Sequence, residues 1–153
     1  MKNLFLLIIS LCIFSCSDDA PVANATATFP ITITPAVIAK GGLTYNTIFT
    51  TQNIVVSNEA DWTLIKNKFT TVNSNILNNA FTETTVNFST HRLLFLYVKQ
   101  SAGSGAIKAS TIVENANNIV VTVQITEPNT TQMFNEPFEI IKIPASTKPV
   151  VFQ

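Results

Sequence analysis

The chain is poor in the residues from which most reaction centres are built. Its 153 residues hold two cysteines, one histidine and four glycines, and only 12% are charged. With His91 as the sole histidine, a zinc site would have to be made almost wholly of carboxylates, which zinc proteins rarely do. No run of Asp or Asn has the spacing of a calcium loop. The four glycines stand as Gly41-Gly42 and as Gly103 and Gly105, so there is no phosphate-cradling loop. Basic and acidic residues balance at nine each, which leaves no cationic surface for nucleic acid. Neither a metal nor a cofactor is expected.

Both cysteines fall near the start. Lys2 supplies a positive n-region and Leu4 to Phe14 an apolar stretch, interrupted by Ser10. A membrane span needs roughly 20 apolar residues, so this run reads as a leader and not as a transmembrane helix. Ile13-Phe14-Ser15-Cys16 places a small residue before a cysteine, as in the lipobox of bacterial lipoproteins. Residues 1–15 are therefore expected to be removed and Cys16 to carry lipid that holds the chain to a membrane. Ser17 follows Cys16, where Asp would resemble an inner-membrane retention signal, so outer-membrane sorting is expected. Asp18-Asp19 resembles the acidic export signal of surface-exposed lipoproteins. Cys12 is lost with the leader and Cys16 is acylated, so no thiol remains for a disulfide or for catalysis. The mature chain of about 138 residues is long enough for one core, with a formal charge near −1 once Lys2 is gone.

Residues 16–30 lack hydrophobic periodicity and mix Asp, Pro, Ala and Thr, as a flexible tether would. A single domain is expected over 31–153. Ile31 and Ile33 alternate with threonines until Pro35 breaks the run, and Thr44 to Val56 holds two short β-rich pieces around Thr51-Gln52-Asn53. One helix is predicted over Glu59 to Phe69. Ser57 or Asn58 can cap it, Glu59 and Asp61 suit its positive end, and Trp62, Ile65 and Phe69 share one face. Trp62 reads as a buried anchor rather than a stacking platform. Residues 70–82 are polar and read as a loop or weak edge strand.

Strands are then predicted at Val86 to Phe88, Leu93 to Val98, Ile107 to Val113, Ile119 to Ile125, Phe138 to Ile143 and Val150 to Phe152, with hairpin-type residues at 114–118. Leu93 to Val98 is apolar at every position, which predicts a central strand covered on both faces. The fold class is mostly β, an antiparallel sandwich or partly open barrel with one short helix.

Candidate chemistry is sparse. Ser89 or Thr90 with His91 would need converging side chains, whereas neighbours on an extended chain point to opposite faces. Glu83, Glu114, Glu127, Glu136 and Glu139 fall mostly in or beside turns, where charge is usually solvated, so a paired-carboxylate site is not expected. The chain is not expected to be an enzyme.

Trp62 in a short helix, Val86-Asn87-Phe88-Ser89 before an apolar strand, a Gly-rich turn at 103–105, Pro137-Phe138-Glu139-Ile140-Ile141-Lys142-Ile143-Pro144 and the closing Pro149-Val150-Val151-Phe152 occur in that order. This succession resembles the C-terminal domain of the PrcB family, named for a lipoprotein subunit of a bacterial surface protease complex. The resemblance covers about residues 54–153. The family's central turn usually reads like Thr-Gly-Gly-Tyr, and the aromatic residue is missing here. The resemblance implies a noncatalytic accessory, assembly or modulating role beside an exported protease. Gly103 and Gly105 permit close backbone approach, which makes Gly103, Ser104 and Gly105 a candidate partner-binding loop on an exposed turn. The alternatives are a glycan-binding module, for which only Tyr45, Tyr97 and Trp62 offer obvious platform rings, and a purely structural surface lipoprotein.

Overall fold

A computed structural model describes residues 28–44, 48–99, 104–129 and 135–153. The expected leader, Cys16, most of the tether, Tyr45 and Gly103 lie outside the described residues. In chain order the elements are β1 (Ile31–Thr32), β2 (Ala36–Leu43), β3 (Gln52–Val56), α1 (Glu59–Val72), α2 (Ile76–Asn79), β4 (His91–Tyr97), β5 (Ser104–Glu114), β6 (Ile119–Asn129), β7 (Glu136–Pro144) and β8 (Val150–Phe152).

The strands form two four-stranded sheets, β1-β5-β6-β8 and β2-β7-β4-β3. Every pairing is antiparallel except β6 with β8. The fold is thus a mostly β sandwich, as the alternation of apolar and polar residues predicts, and no closed barrel forms among the described residues.

The middle sheet is covered on both sides, which explains the unbroken apolar run of β4. Leu93, Phe95 and Tyr97 point towards the helices, where they meet Trp62, Ile65 and Phe69 of α1 and Phe138 and Ile140 of β7. Leu94 points the other way and packs with Ile141 and Ile143 against Ile112, Ile119 and Val121 of the opposing sheet. The molecule is therefore three layers deep: helices, the β4-containing sheet, and the β5-containing sheet. On the helix side the aromatic rings mesh, with Phe69 centred 4.8 Å from Phe138 and 5.6 Å from Phe95.

Several expectations are corrected. Ala36–Leu43 forms a full strand that Pro35 and the Gly41-Gly42 pair obscured. Residues 86–88 are not a strand. The Asn87 side chain accepts from the Ser89 N–H at 3.0 Å, and the Asn87 carbonyl accepts from the N–H groups of Thr90 and His91, which turns the chain. Of the two β-rich pieces expected over 44–56, β3 is the only strand among the described residues; Phe49 belongs to an irregular segment and is buried in the core. Residues 70–82 continue α1 to Val72, form α2, and then bridge Phe81 to Ala39.

Candidate partner-binding cleft

β1 pairs with β5 only at Ile31↔Glu114 and Thr32↔Val113, and Ile33 adds one backbone bond to Ile112 O at 2.9 Å. Pro35 then carries the chain into β2 of the other sheet. Among the described residues, the remainder of β5 towards Ser104 pairs with β6 on one side and with no strand on the other. Where a longer β1 would have lain, a cleft of about 420 Å³ opens, lined by Lys40, Gly41 and Gly42 of β2, Gly105 to Ile107 of β5, Asn135, Pro137 and Phe138.

Side chains from the β7 strand and its entry reach across this gap. Glu139 points towards the β5 sheet and its Oε2 accepts the Ala109 N–H at 2.7 Å. Asn135 donates from Nδ2 to the Gly105 carbonyl at 3.5 Å. Gly42 makes room for that amide, because a Cβ at position 42 would lie 1.4 Å from Asn135 Oδ1. Glu139 is only 7% exposed. Burial pushes its carboxyl above the ordinary carboxylate range, against the opposing pull of the Ala109 hydrogen bond and of Lys40 and Lys108. Both lysines are exposed; Lys40 lines the cleft and Lys108 lies beside it on β5 between Ile107 and Ala109.

The sequence placed Gly103, Ser104 and Gly105 together on an exposed turn. Gly103 lies outside the described residues. Ser104 opens β5 opposite Asn129, and Gly105 is buried within that strand at a register shift, not on an exposed turn. Gly105 does line the cleft, so one of the three loop candidates reaches it. Sequence reasoning reaches Ile107 as a strand start and Pro137-Phe138 as part of the family-like motif, and misses Lys40, Ala106 and Asn135, for which the doublet Gly41-Gly42 is the nearest signal.

The remaining candidates are dispersed. Trp62 and Tyr97 are fully buried, Trp62 as a core anchor whose Nε1–H donates to the Thr84 carbonyl at 2.9 Å. Thr90 Oγ1 lies 2.8 Å from His91 Nδ1, contrary to the opposed faces expected, because Thr90 sits in the turn and not in an extended strand. The same hydroxyl donates to the Asn87 carbonyl at 3.2 Å. The expectation of carboxylates in turns fails for Glu136 and Glu139, which are buried in β7; Tyr97 Oη donates to Glu136 Oε2 at 2.5 Å. Among the described residues no three of His, Cys, Asp or Glu group as metal ligands would, and no helix is long and apolar enough to cross a membrane. Comparison with protein-family models, curated proteins and solved structures gave no match.

Proposed function

We propose that this chain is a noncatalytic lipoprotein of the cell envelope that binds a protein partner, as an accessory or modulating subunit of an exported protease. The lipobox-like Ile13-Phe14-Ser15-Cys16 supports anchoring through lipid on Cys16, and Ser17 with Asp18-Asp19 supports an outer-membrane, surface-exposed location. The PrcB-like succession supports the protease association. The observation that carries the protein-binding role is the cleft between β2 and β5, which sets backbone edges beside the exposed Lys40. Burial of Trp62 and Tyr97 counts against a glycan platform, since stacking on sugars needs exposed rings.

The test is made in intact envelopes with wild-type chain and Cys16→Ser. The wild type should fractionate with membrane and cross-link to a protease-containing complex. Cys16→Ser should leave the membrane fraction and lose lipid labelling. Retention of the variant in the membrane would remove the anchor, and a wild type that binds polysaccharide but cross-links to no protein would remove the protease role.

A further inference from the structure

We propose that the cleft is a strand-shaped slot that takes an extended, acidic segment of the partner protein, added antiparallel along the open side of β5. This inference rests on the protein-binding role above and names the site and the chemistry of what enters it.

The geometry of β5 supports a strand slot. In an antiparallel ladder the N–H and C=O of one residue point to the same side, and successive residues point to opposite sides. The Ala109 N–H reaches Glu139 and the Ile112 carbonyl meets Ile33, so both groups point away from β6. Ile107, two residues before Ala109, has the same orientation and directs its own N–H and C=O into the cleft. Glu139 and Asn135 meet backbone groups of Ala109 and Gly105, as the acceptors and donors of a neighbouring strand would. They act as side-chain stand-ins for the part of β1 that is cut short by the crossover at Pro35. An incoming strand would exchange those bonds for backbone bonds and extend the line that β1 begins.

The lining selects the occupant. Ile107, Pro137 and Phe138 provide an apolar wall, and Gly41-Gly42 add no side-chain bulk, so inward residues of the guest strand should be apolar. Lys40 lines the gap and is exposed, and exposed Lys108 stands next to it in β5, between Ile107 and Ala109. Outward carboxylates on the guest would meet them. Lysines also serve to keep sheet edges apart, and under that role alone charge reversal, which leaves the edge charged, keeps the chain monomeric and guest binding unchanged.

The probe is the synthetic peptide Asp-Val-Thr-Val-Thr-Val-Asp, titrated into the isotope-labelled full-length chain and followed by amide NMR. Controls are the same peptide N-methylated at alternate residues and a version with Lys for both Asp. Shifts confined to Lys40–Gly42 and Gly105–Ala109 are expected, with little response to either control. Reversing both lysine charges (Lys40→Glu with Lys108→Glu) should weaken binding about tenfold, an effect that salt reduces. No shift, or equal shifts with the N-methylated peptide, overturns the slot. So does hydrogen exchange that finds the Ile107 and Ala109 amides strongly protected in the free monomer, or a dimer that buries them, since the chain itself would then fill the gap. Envelope cross-linking by the charge-reversed chain separates this inference from the role beneath it. A partner still captured at wild-type level shows protein binding without the slot, whereas loss of the partner together with loss of peptide binding supports the slot.

Discussion

Two buried side chains show how differently single residues contribute to this core. Trp62 is 0% exposed, satisfies its one donor on the Thr84 carbonyl, and packs its ring 6.0 Å from that of Phe81. Trp62→Ala removes that area and leaves a cavity between α1 and the middle sheet, so the expected loss is about 3–5 kcal/mol by urea denaturation. Arg92 is also buried, at 6% exposure, but its position is costly. Nη1 donates to the Lys148 carbonyl at 3.0 Å, while Nε and Nη2 have no hydrogen-bond partner among the described residues. Burial lowers its pKa, opposed by the attraction of Glu114. Glu114 has its own cation, with Lys148 Nζ 2.8 Å away, so removing the guanidinium does not strand a buried anion. Arg92→Met relieves two unpaired buried donors and takes one donor from the Lys148 carbonyl, so it should be neutral or stabilising by no more than about 1 kcal/mol. A loss of stability in the denaturation midpoint would show that the guanidinium is an essential partner of Glu114.

At the level of elements, local signals were legible and pairing over long sequence distance was not. The start of α1 is written in Asn58, whose Oδ1 accepts the Asp61 N–H at 2.9 Å and whose Nδ2 donates to Asp61 Oδ2 at 2.7 Å. Asn58→Ala should cost about 1 kcal/mol and Asn58→Ser should recover most of it, both measurable by thermal unfolding. The helix outruns its expected end because Phe69 and Val72 pack on the core, and Thr70 and Thr71 fit the added turn with their hydroxyls on the Asn67 carbonyl, each at 2.9 Å. The hairpin of β5 and β6 and the central place of β4 were readable for the same reason, since alternation and apolar runs are properties of the segment itself. β2 was not readable: Lys40-Gly41-Gly42 is a poor strand in isolation and is held by pairing with β7, from Ala36↔Lys142 to Leu43↔Glu136. The cleft was hidden for a related reason. It arises from where β1 stops relative to β5 and from Asn135 filling the space beside Gly42, and neither fact is a property of any one stretch of sequence.

Across the whole molecule, both faces of the middle sheet are mainly apolar and both hold buried charge. On the helix side Glu136 is bonded to Tyr97, and the side facing the β5 sheet places Arg92 and Glu139 among its apolar residues. Glu139 joins the two sheets through its bond to the Ala109 N–H, so its protonation bears on the stability of the whole sandwich. Burial raises its pKa above the ordinary value near 4.5. The folded state then holds a proton that the unfolded chain has released, which makes stability depend on pH. The stabilising contribution is fully present below the unfolded value and is lost as pH rises through the raised folded value. Glu139→Gln keeps the shape and an oxygen able to accept from Ala109, but it cannot ionise. Urea midpoints measured from acid to neutral pH should show the wild type losing ground to Glu139→Gln across that window, with the gap constant above it. Taking the difference cancels the other carboxylates, which titrate alike in both chains. Parallel profiles would mean that Glu139 titrates as it does in the unfolded chain and that its burial imposes no electrostatic penalty on the join between the sheets.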